Sequence, residues 1–182
     1  QLPLAMADFR SALLINGNDP EAHYGLGLAI VRFAVESPGN DSARLAEAMQ
    51  SVDAALRLKP DYFEAALLRA NIELMREKYP QATAAVTAAI KIDPRRAEAY
   101  SLRARIALDN REFKPALRDV SRALRLDKRL AEAFCVRGSV YAETNKTSSA
   151  VRDFRTCLNN ANDREMREWA SYELTALGAT AY

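Results

Sequence analysis

A single histidine, His23, and two cysteines, Cys135 and Cys157, stand in 182 residues. That is too few for most zinc and iron ligand sets and too few to staple a small secreted scaffold. Six glycines and seven prolines leave little turn chemistry for hairpins. No run of about 18 apolar residues is present to span a bilayer, and no basic-then-apolar leader precedes a small-residue cleavage site. Charge of one sign is lacking too: 26 Lys and Arg against 24 Asp and Glu give a net charge of +2, far from the excess of a chain built to grip nucleic acid. The sequence opens QLPLAMADFR without an initiator Met, so it reads as a fragment. It reads as soluble, with the compartment open and the cytoplasm slightly favoured.

What is present is 49% apolar and 27% charged, enough to bury a core. Ala, Leu, Arg and Glu dominate, residues that lose least on entering a helix, so the expected class is all-α. Self-similarity fixes the organisation. Ala48, Ala82, Ala116 and Ala150 are 34 residues apart, and the same step carries Val52, Val86, Val120 and Phe154, then Ala55, Ala89, Ala123 and Cys157, then Leu56, Ile90, Leu124 and Leu158. Their offsets place them on one stripe of a helix. Upstream in each repeat lie Gly27, Ala70, Ala104 and Gly138, preceded by Ala22, Ala65, Ala99 and Ala133. The first step here is 43 residues, so nine extra residues, Ala34 to Ser42 with a Pro-Gly turn signal, interrupt the first full repeat.

Every repeat therefore reads as two helices, a small residue in the first letting the second approach. Gly17, Pro60 and Pro94 stop second helices, whereas Lys128 offers a weaker stop. Asp19 before Pro20 reads as an N-cap, Asp61 with Glu64 as a capping box, and Thr147 and Asp163 as further caps. Glu21, Glu64, Glu98 and Glu132 fall in first turns, where the macrodipole favours negative charge or where they edge a groove.

These columns resemble the tetratricopeptide repeat, a family of 34-residue helix-turn-helix units, over nearly the whole chain. The departures are Ala66 and His23 where Tyr100 and Phe134 supply the usual aromatic, Glu73 where Tyr141 supplies another, and the insertion. The resemblance implies one right-handed superhelical solenoid over 1–182: a half repeat at 1–19, repeats at 20–62, 63–96, 97–130 and 131–164, and a capping helix over 165–182. Trp169 and Tyr172 are expected to cover the last packed pair.

No catalytic constellation is found: no Gly-rich phosphate loop, no nucleophile elbow, and no base near either cysteine. Neither a metal nor another cofactor is expected. His23 reads as a packing residue, Cys157 as inert within the packed stripe, and Cys135 as packed or as a groove-facing thiol. Arg69, Arg103 and Arg137 recur at the 34-residue step, and Asp119 and Asp153 follow Arg103 and Arg137 by 16, which predicts an ion pair inside each of those repeats. Ala85 takes the acid's place opposite Arg69.

Members of the family usually hold peptides on the concave edge of their first helices. The resemblance thus nominates Tyr24, Leu28, Val31, Arg32, Leu67, Asn71, Leu74, Met75, Ser101, Arg105 and Asp109 as a partner-binding groove. Leu108, Cys135, Ser139, Ala142 and Glu143 extend it. A partner would set hydrophobic side chains against Tyr24, Leu28, Leu67 and Met75, and polar groups against Arg105 and Asp109. A competing reading folds a preceding helix or the insertion over the apolar part. A chaperone-tail clamp could use Asn71 and Arg105, but Tyr24, Leu28 and Ser101 stand where that clamp needs other residues.

Charge is uneven, with residues 95–130 holding 11 Lys or Arg against 5 Asp or Glu. This is a solvated face, a docking surface for an acidic protein, or, with less support, one for RNA, since stacking aromatics are nearly absent there. The overall reading is a non-catalytic scaffold for a peptide or protein partner. The alternatives are a regulatory or substrate-recruiting module of a larger enzyme or secretion machine, and an RNA-binding repeat. Unpaired end repeats invite self-association.

Overall fold

A computed structural model describes residues 1–37, 39 and 41–180. They form α1 (Leu2–Ile15), α2 (Pro20–Glu36), α3 (Asp41–Leu58), α4 (Phe63–Met75), α5 (Tyr79–Ile92), α6 (Ala97–Asp109), α7 (Phe113–Leu126), α8 (Ala131–Glu143), α9 (Thr147–Asn160) and α10 (Arg164–Ala176). All regular structure among the described residues is helical, in consecutive helix-turn-helix pairs. Two compact units divide the chain, 1–94 and 95–182. In the first, α2 packs on α1, α3 and α4, and α4 on α3 and α5. In the second, α8 packs on α6, α7, α9 and α10, while α6 packs on α7 and α9 on α10.

Second helices end where the stop signals place them: α1 at Ile15, α3 at Leu58 and α5 at Ile92. α7 ends at Leu126 in the same register without a proline. Between first and second helices, Glu77, Arg111 and Asn145 adopt φ of 57°, 60° and 58°. The amide of the following residue closes each turn on a carbonyl five residues back: Lys78 on Glu73 at 2.9 Å, Glu112 on Ala107 at 2.7 Å, Lys146 on Tyr141 at 2.8 Å. This left-handed cap satisfies carbonyls that a helix end leaves open.

Of the expected caps, Asp19 accepts from the Ala22 amide at 3.0 Å and Asp163 from Met166 at 2.8 Å. The other two differ. α4 begins at Phe63 with Tyr62 as its N-cap, and α9 takes Thr147 as its first residue with Lys146 before it, so neither Asp61 nor Thr147 caps a helix. The insertion lengthens helices more than it lengthens a loop. α2 has 17 residues against 13 in α4, and α3 has 18 against 14 in α5. Arg44, in the added turn of α3, lies 4.6 Å from the centroid of the Phe33 ring and donates to the Ser37 carbonyl, tying the two extensions together. Pro38, half of that stretch's Pro-Gly turn signal, and Asn40 lie outside the described residues.

The repeating columns join the cores. Ala48, Val52, Ala55 and Ala65 cluster with Leu26, Ile30, Leu68 and Ile72 in the first unit, and Ala150, Phe154, Cys157 and Leu158 with Ala170 and Leu174 in the second. Phe9 of α1 lies directly on Gly25, where a Cβ would come within 2.4 Å of the ring. Gly138 plays the same part for Phe154, with Cε1 2.9 Å from the place of a Cβ. The same columns hold Ala70 with Val86 and Ala104 with Val120, a larger first-helix residue against a smaller second-helix one. Gly138→Ala is therefore expected to destabilise by about 1–2 kcal/mol despite a better helix propensity, because the buried ring cannot yield. Adding Phe154→Val, which restores the Ala/Val pairing of the other repeats, should cost less than the two single changes summed. Urea unfolding of the three variants measures the coupling.

Tyr172 does not cover the last pair: it is 73% exposed. It occupies the column of Gly138, the position that faces a second helix, and no described helix packs there. Ala170 and Leu174 cover the pair instead, both 0% exposed, with Trp169 partly buried beside them.

Candidate functional site

The expected ion pairs are present and buried at the acid. Arg103 Nε and Nη2 donate to Asp119 at 2.7 and 2.9 Å, and Arg137 donates to Asp153 at 2.6 and 2.9 Å. The side-chain hydrogen bond raises each guanidinium pKa still further, so both arginines stay charged. Arg69, with Ala85 opposite, turns to Asp53 of α3 at 2.9 Å in a more exposed pair. These pairs lock helices together and leave the first-helix faces as surfaces.

In the first unit that surface is built on α2 and α4. Tyr24 and Leu28 are half-buried against the core, and the Tyr24 ring meets Tyr62 at 5.2 Å between centroids. Burial, then the nearby Glu64 carboxylate, raises the Tyr24 hydroxyl above its ordinary pKa. Leu67 and Asn71 are half-buried, whereas Arg32 and Met75 are exposed. Val31 and Leu74 are buried. They form the floor beneath the face and are not available for contact, because their side chains turn into the packing of the unit.

In the second unit the surface is built on α6, α8 and α10, and it closes into a pocket of about 380 Å³. Arg105, Asp109, Ser139, Glu143, Trp169 and Glu173 are among its walls. The Arg105 guanidinium sits 5.5 Å from the Trp169 ring centroid, and Trp169 Nε1 donates to Glu173 at 3.3 Å. Ser139 Oγ is buried without a hydrogen-bond partner. Burial raises the Asp109 pKa against the lowering influence of Arg105. Ser101 is 0% exposed, so it lies under the face and cannot line it.

Cys135 is not a groove thiol. It is fully buried and bonded to Cys157 of α9 in a disulfide with Cα atoms 5.3 Å apart. Position 135 shares a column with Ser101, and that column tilts from the open face toward the paired second helix. Sequence reading also missed Trp169 and Glu173 as walls of the pocket. Carrying the columns of Cys135 and Ser139 forward by one more period of 34 lands on them, a signal masked by treating α10 as a cap alone.

Glu132 lies beside this surface. Burial raises its pKa, Arg105 and Ser101 oppose the rise, and Glu98 and Asp163 add to it. A carboxyl with a raised folded-state pKa binds more protons folded than unfolded, so its contribution to stability is lost as pH rises from about 4.5 through the raised value. Glu132→Gln should therefore gain on the parent chain as pH climbs from 4.5 toward neutrality, the two being nearest at the acid end. Urea midpoints across that range check the sign.

Among the described residues, no group of three or more His, Cys, Asp or Glu side chains could hold a metal ion, and no helix is long and apolar enough to cross a membrane. Neither protein-family profiles nor curated proteins match the sequence. Solved structures do. A thermophilic tetratricopeptide-repeat protein of Thermus thermophilus superposes with a TM-score of 0.78 at 18% identity, over 96% of this chain and 91% of that one. The chain has the tetratricopeptide-repeat fold. MamA of Desulfovibrio magneticus RS-1 matches this repeat fold at a TM-score of 0.69 and 19% identity, over 87% of this chain and 85% of its own. YrrB, described as a tetratricopeptide-repeat protein with an unusual peptide-binding site, matches at 0.60 and 17%, over 92% and 82%. The repeat fold explains why the small, branched and αL positions recur in step. It also accounts for the open face each unit presents on its first helices.

Proposed function

We propose that this chain is a non-catalytic scaffold that holds a peptide or protein segment on the faces of its first helices. The observation carrying this reading is the pocket in the second unit. Arg105, Asp109, Glu143, Glu173 and an unpartnered Ser139 hydroxyl stand there beside Trp169, Leu108 and Phe113, a largely polar and charged lining with an aromatic wall, suited to a polar or charged side chain of a partner. In the first unit, exposed Met75 and Arg32 beside half-buried Leu28 and Leu67 offer a more apolar footing. A peptide-binding site in the similarly folded YrrB supports the same use. Both faces are built on packed helices, so the partner bears most of the ordering cost. The Cys135–Cys157 disulfide supports work in an oxidising compartment over the slightly favoured cytoplasm.

A peptide array probed with the parent chain, Leu67→Asp and Arg105→Glu tests the reading, with circular dichroism verifying the helices. Peptides lost in one variant alone assign binding to that unit's face. Equal retention by all three places binding elsewhere and overturns the scaffold faces named here.

A further inference from the structure

The second helices of the repeats provide an internal control for what the fold itself requires. On their outward positions α3 carries Ala46, Gln50, Ala54 and Arg57, α5 carries Pro80, Ala84, Ala88 and Lys91, and α9 carries Ser148, Arg152, Thr156 and Asn159. α7 carries Lys114, Arg118, Arg122 and Arg125 in the same columns, all exposed. A basic residue in the last turn complements the helix macrodipole, which accounts for Arg57, Lys91 and Arg125. It does not account for the other three. Lys114 stands in a first turn that has no acidic residue, the wrong end for a cation. Lys114 with Arg118, and Arg118 with Arg122, are like-charge pairs four apart, which weaken a helix. No carboxylate lies within 4.0 Å of any of the four among the described residues. The helix carries these charges against its own stability, while Asp119 and the buried Ala116, Val120 and Ala123 hold its orientation.

We propose that the outer face of α7 is a second docking surface, distinct from the first-helix faces, for an acidic segment of a protein partner. Three observations select that occupant. The cationic row is short, with the acidic Glu112 at its N-terminal end and Asp127 at its C-terminal end, and so spans about 16 Å, the rise of eleven helical residues. That matches a short acidic helix better than a long polyanion. The row lacks an exposed aromatic for base stacking, since the guanidinium of Arg122 lies 5.6 Å from the Tyr100 ring centroid and Tyr100 is buried. None of the exposed large apolar side chains, Leu4, Leu14, Ile15, Val35, Leu58, Met75 and Tyr172, belongs to α7, so a membrane-inserting anchor is missing from the face.

The test uses a labelled acidic peptide of about 12 residues with glutamate at every fourth position, set against a scrambled peptide of equal charge. Fluorescence anisotropy is read at two salt concentrations for the parent chain and for Lys114→Gln/Arg118→Gln/Arg122→Gln. The triple variant should lose affinity by at least about tenfold, and salt should weaken the parent in the same direction. Its melting temperature should hold or rise by about 1–3 °C as like-charge repulsion is relieved, so lost binding is not lost folding. Arg105→Glu should leave the peptide affinity unchanged, which separates this surface from the first-helix faces. Three results would overturn the proposal: no peptide binding to the parent chain, equal binding by the triple variant, or tighter binding of the parent chain to oligouridylate or to phosphatidylserine vesicles than to the peptide.

Discussion

Arg137→Met should lower the stability of the chain by about 3–5 kcal/mol, measured by urea unfolding. The size follows from what is left behind. Asp153 is 3% exposed and receives two guanidinium hydrogen bonds, at 2.6 and 2.9 Å, so removing Arg137 strands a carboxylate with little water to replace its partner. Arg103→Met should behave alike, since Asp119 is 4% exposed and held in the same two-bond geometry. Arg69→Met supplies the contrast. Its partner Asp53 keeps 37% side-chain exposure, so that loss should stay within about 1 kcal/mol. The double change Arg137→Met/Asp153→Leu should recover most of the single-variant loss, because a well-packed apolar pair does not carry the desolvation cost of an ion pair. Equal costs at Arg69 and Arg137 would show that helix packing by the arginine stems, rather than the buried carboxylate, sets the effect.

That contrast marks where the sequence was legible. A pairing that repeats with the period, such as Arg103 with Asp119, is visible because two columns in step imply two faces in contact. Asp53 was not legible as the partner of Arg69, since it belongs to the preceding helix pair and lies two residues outside the acid column. The small and branched columns disclosed the helices and their cores because packing repeats with the period. Open faces are harder to read. Val31, Leu74 and Ser101 share the nominal groove side of their helices, yet a tilt of part of a turn puts them under the surface. Periodicity names a face to within roughly 100° of helix, and burial changes across that arc. The expected caps at Asp61 and Thr147 failed for a related reason: a helix start moves by a residue or two with its packing, and a side-chain cap needs the one correct position.

The disulfide was the largest omission, and its removal carries the second large effect. Cys135→Ala/Cys157→Ala should cost about 3 kcal/mol, the loop-closure entropy for a cross-link between residues 22 apart. For a chain of this size that corresponds to a fall in melting temperature of roughly 6–12 °C, and dithiothreitol should produce a similar fall in the parent chain. The three-residue connection between α8 and α9 turns them antiparallel, and Arg137 with Asp153 shows which faces meet. Cys135 is two residues before the one and Cys157 four after the other, which places the thiols about one turn along the same seam. Both sulfurs are buried with Ala150, Phe154, Ala170 and Leu174, so the bond fixes the helix pair on which α10 rests. Alkylation of the unfolded chain under non-reducing conditions, followed by mass measurement, decides whether the bond forms: an oxidised chain takes up no label and is lighter by the two hydrogens lost, whereas buried thiols of the folded chain would escape label in either state. Full labelling of both thiols in unfolded, unreduced chain would instead show a reduced pair, removing the support for an oxidising compartment while leaving the repeat packing intact. The bond matters for the second unit's face because it ties α8, which lines the pocket with Ser139 and Glu143, to the helix pair under Trp169.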